Sequence, residues 1–210
     1  MFTGIIQAIG KVREPEKLGN GVRLTISAPD LGLDQVGIGE SIAVNGACMT
    51  VVEKGDDWFR IDVSAESLSK TAGLDTFGPV NLEKAMRLGD RVDGHLVSGH
   101  VDGIGQVVSL EQVAESYKLV ILAPRKLAPC IAYKGSIAVN GVSLTINEVE
   151  DTSVGPRFSI NLIPHTMEVT TLHFLKAQSL VNLEVDLIAR YVQRNMELRE
   201  IGRASCRERV

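Results

Sequence analysis

Hydrophobic and polar residues alternate with a period of two through most of the chain. Val22, Leu24 and Ile26 alternate with Arg23, Thr25 and Ser27. Phe59, Ile61 and Val63 flank Arg60 and Asp62, and Phe158, Ile160 and Leu162 do the same around Ser159 and Asn161. Successive side chains of a strand point to opposite faces, so this spacing predicts strands with one buried face. Gly19, Gly21, Gly37 and Gly39 punctuate them, and Asn45-Gly46 and Asn140-Gly141 read as two-residue hairpin turns. The period changes only at 184–199, EVDLIARYVQRNMELR, where Ile188, Tyr191, Val192, Asn195 and Leu198 fall near one face at helical spacing. Two readings of this helix stand open: it packs on the strands before it, or it joins copies of the chain.

The strand pattern occurs twice. SIAVNG at 41–46 returns at 136–141, an offset of 95 that also carries TGIIQAIGKV at 3–12 onto SGHVDGIGQV at 98–107 and RLTISAP at 23–29 onto KLVILAP at 118–124. Later the register slips by a few residues, as FRIDV at 59 meets FSINL at 158 and NLE at 81 meets NLE at 182. Small loop insertions account for the slips, since loops absorb length change cheaply. About six short strands per copy predict an all-β fold of two tandem six-stranded Greek-key barrels, because closure removes exposed strand edges. The expected division is a first barrel at 1–96, a second at 97–186 and a C-terminal helix at 187–201.

Bulk properties narrow the partners. With 44% hydrophobic residues, 23% charged, 4% aromatic and a net charge of −4, the chain suits neither a nucleic-acid backbone nor an anionic membrane surface. No apolar run reaches the roughly 18 residues of a spanning helix, and the start lacks a basic segment ahead of an apolar one. Cys48, Cys130 and Cys206 are far apart with no CxxC pair, so neither a disulfide framework nor a zinc site is expected. These features describe a soluble cytoplasmic protein with free thiols and no metal. The end, GRASCRERV from 202, is basic and aperiodic and is set aside, with Cys206, as an appended tail at 202–210.

The chain begins MFTGI, repeats its barrel once and carries GHLVSGHVDG at 94–103 across the junction, with NGACMT, NGVSLT, YKG and LIPHT in order. In these features it resembles the riboflavin synthase family, from residue 1 to about 196. The resemblance implies a transferase that binds 6,7-dimethyl-8-ribityllumazine in each barrel. It implies dismutation of two such molecules by transfer of a four-carbon unit, giving riboflavin and 5-amino-6-(ribitylamino)-pyrimidinedione, with no metal or organic cofactor. It also implies a homotrimer whose sites lie between the first barrel of one subunit and the second barrel of its neighbour. A reaction between two identical molecules needs two similar facing pockets, which a duplicated barrel supplies. Holding both in near-attack geometry contributes roughly 7–11 kcal/mol.

Residues at matching positions of the two copies should share one job, binding. By the resemblance, Gly4, Ile5 and Ile6 match Gly99, His100 and Val101 as strands whose backbone reads the pterin edge. Cys48, Met49 and Thr50 match Ser143, Leu144 and Thr145 as the strand across the pocket. The ribityl chain falls to two polar turns: Asp62, Val63, Ser64, Ala65, Glu66 and Ser67, and Asn161, Leu162, Ile163, Pro164, His165 and Thr166. On this reading residues 1–96 carry both binding strands of a complete site.

Positions that differ between the copies are the candidates for chemistry. His100 stands where the first copy has Ile5, and an imidazole suits proton transfer near neutral pH. Cys48 replaces Ser143; its thiol either adds to an electrophilic ring carbon or serves as a small buried hydrophobe. Lys134, opposite Gly39, either steadies a developing anion or is a solvated surface lysine. Phe2 resembles the family's N-terminal aromatic lying over the substrate, while Ser41, Asp186 and His95 match family positions at the site.

Two rivals remain. A lumazine or flavin carrier on the same barrels would show one degenerate pocket, yet both copies keep the Gly-x-x strand, the Asn-Gly-x-x-x-Thr strand and the polar turn. The flavin barrel of a pyridine-nucleotide reductase needs a following βαβ unit with a phosphate loop, and no such pattern follows.

Overall fold

The computed structural model describes the backbone of residues 1–207 and the side chains of residues 1–198. The side chains of the set-aside tail, Cys206 included, lie outside the described residues. The chain folds into two antiparallel barrels and a C-terminal helix. The first contains β1 (Ala8–Val12), β2 (Glu16–Leu18), β3 (Gly21–Ser27), β4 (Ser41–Val44), β5 (Ala47–Lys54), β6 (Trp58–Val63) and β7 (Gly78–Lys84), with a short α1 (Ala65–Lys70) after β6. Its wall runs β1-β7-β4-β5-β6-β3 and closes by β1–β3 pairing, leaving β2 as a flap on β3. The second contains β8 (Gly103–Val113), β9 (Ser116–Leu122), β10 (Ser136–Val139), β11 (Val142–Asp151), β12 (Pro156–Leu162) and β13 (Leu180–Val185), with α2 (Pro164–Val169) after β12. It closes in the order β10-β11-β12-β9-β8-β13, the same topology. The single β8 covers what β1 and β2 share in the first copy. There Pro15, without an N–H to give the ladder, falls in the gap between them.

The alternating residues behave as their spacing predicts. Leu24, Ile26, Phe59 and Ile61 are fully buried in the first barrel, and Leu119, Ile121, Phe158 and Ile160 at matching positions in the second. Burying each such side chain contributes about 1.5–3 kcal/mol.

Reciprocal contacts relate the barrels by an approximate twofold axis. Phe2 and Val97, one repeat apart, exchange backbone hydrogen bonds of 2.7 and 3.0 Å. Between the hairpin tips, a Cβ on Gly46 would lie 2.7 Å from the Gly141 nitrogen, and φ of +81° and +82° at these residues favours glycine as well. Four buried asparagines finish the seam. Asn81 Nδ2 donates to the Asn140 carbonyl and Asn182 Nδ2 to the Asn45 carbonyl, both at 2.9 Å.

Helix α3 (Leu187–Arg207) runs six residues beyond its expected end. Among the described residues, no helix is long and apolar enough to cross a membrane.

Candidate functional site

The segments flanking the barrels cross over. Ser143 N donates to the Gly4 carbonyl and Cys48 N to the Gly99 carbonyl, each at 2.8 Å. The N-terminal segment therefore lies along β11 of the second barrel, and residues 98–101 lie along β5 of the first. Ile6 accordingly packs on the second barrel's core and Val101 on the first's. Close approach requires glycine at both crossings: a Cβ on Gly4 or Gly99 would sit 2.6 Å from the Cβ of Ser143 or Cys48. The expectation that residues 1–96 hold both binding strands of one site is thus corrected. Each groove draws one strand from the other copy.

The first groove brings residues 99–101 beside 48–50, with the 62–67 turn at the β6 end. The second brings residues 4–6 beside 143–145, with the turn at 161–166. Both turns begin helices. Ser64 caps α1, its Oγ accepting from Ser67 N at 3.1 Å, and Pro164 opens α2. Thr50, Asp62, Ser64, His100, Thr145, Asn161 and His165 are exposed, as are Ala65, Glu66 and Pro164. Ile5 and Ile163 are 46% and 54% exposed, so the second groove keeps an open apolar lip.

Several expected contacts are redirected. Met49, Val63 and Leu162 turn into the barrel cores, leaving their backbone to face a ligand. Phe2, expected over the substrate, is fully buried between the barrels against Ala43, Val97 and Ala138, where it supports the first groove from below Gly99 and Cys48. Asp62 is engaged by Arg23 through both oxygens at 2.7 and 2.9 Å, and this guanidinium hydrogen bond holds its carboxyl below the usual range. Glu66 pairs with Lys70 on the surface. Lys134 takes φ of +60° where the first copy has a glycine, and its Nζ donates to Asn147 Oδ1 at 2.8 Å.

The reactive candidates separate between the grooves. His100 lies on the strand beside Cys48, not opposite it with Ser143. Ser143 instead meets His95, whose Nδ1 lies 2.7 Å from the Ser143 Oγ. Among the described residues His95 Nε2 is buried without a partner, and burial lowers this imidazole below its ordinary value, opposed by the charge of Asp186. Asp186 Oδ1 accepts from Ile188 N at the start of α3. Ser41 lies opposite Thr50 in the β4–β5 register and lines, with Thr3, Ile5 and Glu83, a cleft of about 580 Å³ between the N-terminal segment, β7 and the loop after it. The matching place on the second barrel is filled by α3, held by Arg190 to Asp102 at 2.9 Å and by Cys130 to Gln193. The opposite face of α3 leaves Ile188, Tyr191, Val192 and Met196 exposed.

Two buried acids went unread in the sequence. Glu83 accepts from Thr3 N, Thr3 Oγ1 and Gly4 N. Glu184 accepts from Ser98 N, Ser98 Oγ, Gly99 N and His100 N. The repeated NLE was the signal: acids at equivalent positions on strands with buried faces need partners of their own. Burial pushes the Glu83 carboxyl up, against the pull of its three hydrogen bonds.

A family model, the lumazine binding domain, matches this chain twice, at residues 3–85 and 98–186. Both matches begin at the crossing segments. The riboflavin synthase of Mycobacterium bovis is 43% identical over 93% of this chain and 98% of its own, and that of Actinobacillus pleuropneumoniae is 40% identical over 92% and 88%. Among solved structures, LumP complexed with riboflavin superposes with a TM-score of 0.78 at 29% identity, covering 88% of this chain and 99% of that one. Twin barrels, crossed strands and grooves armed with different reactive groups thus coincide with sequence likeness along nearly the whole chain, which belongs to the riboflavin synthase family.

Proposed function

We propose that the protein is a transferase that dismutates two molecules of 6,7-dimethyl-8-ribityllumazine, giving riboflavin and 5-amino-6-(ribitylamino)-pyrimidinedione. The observation that carries this reading is the pair of equivalent grooves with unlike reactive groups, Cys48 beside the His100 strand in one and Ser143 on His95 in the other. One compound supplies both reactants, so the grooves must share a shape. The two halves of the reaction differ, so their reactive groups must differ.

The first step is loss of a proton from the methyl group on ring carbon 7, whose carbanion spreads into the ring. Ser143 Oγ takes that proton as it passes its own to His95 Nδ1. Burial favours the neutral imidazole that can accept it, and the charge of Asp186 steadies the imidazolium that results. In the first groove the Cys48 thiol is placed to add to a ring carbon, with His100 as proton carrier. Backbone groups of residues 4–6 and 99–101 orient the two rings, and the hydroxyls of Ser64, Ser67 and Thr166 meet the ribityl chains. The open lip at Ile5 and Ile163, with the uncovered face of α3, fits a homotrimer in which the first groove of one chain meets the second of its neighbour.

Likeness to LumP favours a second reading, a protein that holds such ligands without converting them. The retention of both grooves weighs against it. The deciding measurement is riboflavin fluorescence after mixing purified protein with dimethylribityllumazine. Two lumazines should be consumed per riboflavin formed, and the rate should survive chelation and dialysis, because every step above uses protein groups. Binding without conversion would leave the holding role.

A further inference from the structure

We propose that Glu83 and Glu184 are positioning residues that act crosswise, each acid on one barrel fixing the substrate-facing strand of the other barrel's groove. Glu184 stands on β13 of the second barrel and is 4% exposed, yet its four donors belong to residues 98–100, which form the edge of the first groove. Gly99 then accepts from Cys48 N, so the position of Cys48 relative to that strand is set by an acid on the other barrel. Glu83, on β7 of the first barrel and 2% exposed, gathers Thr3 and Gly4, and Gly4 accepts from Ser143 N in the second groove. Thr3 also accepts from His95 N at 3.1 Å, so Glu83 orders the Ser143–His95 pair as well.

The chemistry explains why an acid is needed here. Beyond the Phe2–Val97 pair, the N–H groups of Thr3 and Gly4, and of Ser98, Gly99 and His100, turn inward to a carboxylate and not to a strand carbonyl. A carboxyl with both oxygens accepting satisfies three or four of these donors at once and fixes their spacing. A glutamine in the same place presents an NH₂ to donors, which repels the strand it should hold. Because the exchange is reciprocal, damage to one acid should appear in the groove of the opposite barrel. An ordinary structural residue would loosen its own barrel first.

The test needs no turnover, so it can fail or succeed independently of the proposed reaction. Cys48 is half-buried under the 98–100 strand, and its alkylation by iodoacetamide in the full-length protein, located by peptide mass, reports whether that strand is seated. Glu184→Gln should speed Cys48 labelling about tenfold, as loss of charged hydrogen bonds promotes local opening, while Glu83→Gln leaves it within twofold of wild type. In turnover, Glu83→Gln should shift the acid limb of the pH–rate profile, because it disturbs His95, and Glu184→Gln should lower kcat without moving that limb. Should Glu184→Gln fail to fold, Ser98→Ala removes one of the four donors and should speed labelling in the same sense, while Thr3→Val should not. Equal acceleration by the matched variants of both copies, or acceleration by the Glu83 or Thr3 variants alone, would overturn the crosswise assignment.

Discussion

At the scale of single residues, the proposed mechanism rests on His95, whose imidazole burial biases toward the neutral form. His95 binds a proton less readily in the fold than in the unfolded chain, so between its depressed value and the ordinary 6.5 the unfolded state carries more protons. Stability should therefore fall as pH drops through that window, and His95→Asn should flatten this slope in thermal melts taken from pH 7.5 to 5. On the proposed mechanism the same group should set the acid limb of turnover. Asp186→Asn removes a charge that raises the His95 value, so the limb should move to lower pH. Ser143→Ala should lower kcat by a factor of about 10²–10⁴ with little change in KM, and adding His95→Gln should cost little more, because the two act as a unit. Full independent losses in the double variant would mean that the 2.7 Å contact is not used.

At the scale of elements, the hairpins were legible and the small helices were not. Asn45-Gly46 and Asn140-Gly141 form two-residue turns with φ positive at both central residues, a geometry that asparagine followed by glycine admits locally. Gly46→Ala meets the Gly141 backbone, so it should cost more than about 2 kcal/mol in denaturant unfolding, where the same change at the open Gly39 should cost less. α1 and α2, six residues each, occupy the polar turns unannounced, because so short a helix shows no periodicity, only the capping Ser64 before α1 and Pro164 at the start of α2. For α3 both open readings have a physical counterpart. Arg190 and Gln193 tie it to its own barrel, while Tyr191 and Val192 stay uncovered at 67% and 52% exposure. If that face joins subunits, Tyr191→Glu with Val192→Glu should give a folded monomer by light scattering with poor turnover. An intact, active trimer from this variant would place the contact elsewhere.

At the scale of the whole molecule, the exchange of residues 2–6 and 97–101 makes neither groove the property of one repeat. A fragment of residues 1–96 keeps residues 48–50 and the 62–67 turn but lacks the 99–101 strand that completes the first groove. Its own residues 4–6 can supply the counterpart only by crossing to a second copy, so the fragment should dimerise and bind riboflavin as a dimer. Sedimentation with fluorescence titration checks this, and tight binding by a monomeric fragment would contradict it. The buried asparagines argue the same way. Asn182 bonds Asn45 and Ala72 of the first copy, so Asn182→Ala should destabilise the tandem by about 2–3 kcal/mol, for example as a lowered urea midpoint.

The sequence alone determined what is local and repeated: alternation gave the strands, the 95-residue offset gave two like barrels, and the motif order gave the family. The family resemblance also pointed to the segments that the structure brings together at the two crossings, 4–6 with 143–145 and 99–101 with 48–50. What it could not carry was which copy each segment serves. Residues 4–6 have the same pattern whether they pair with 48–50 or with 143–145, and the choice follows only from the twofold packing that sets Phe2 against Val97. For the same reason His100 comes to Cys48 and His95 to Ser143, and Glu83 and Glu184, unremarkable in a strand, become the anchors of opposite grooves. Those pairings join residues 48 to 139 positions apart, where the energy of burial and hydrogen bonding is decided by three-dimensional closure and not by neighbours in the chain.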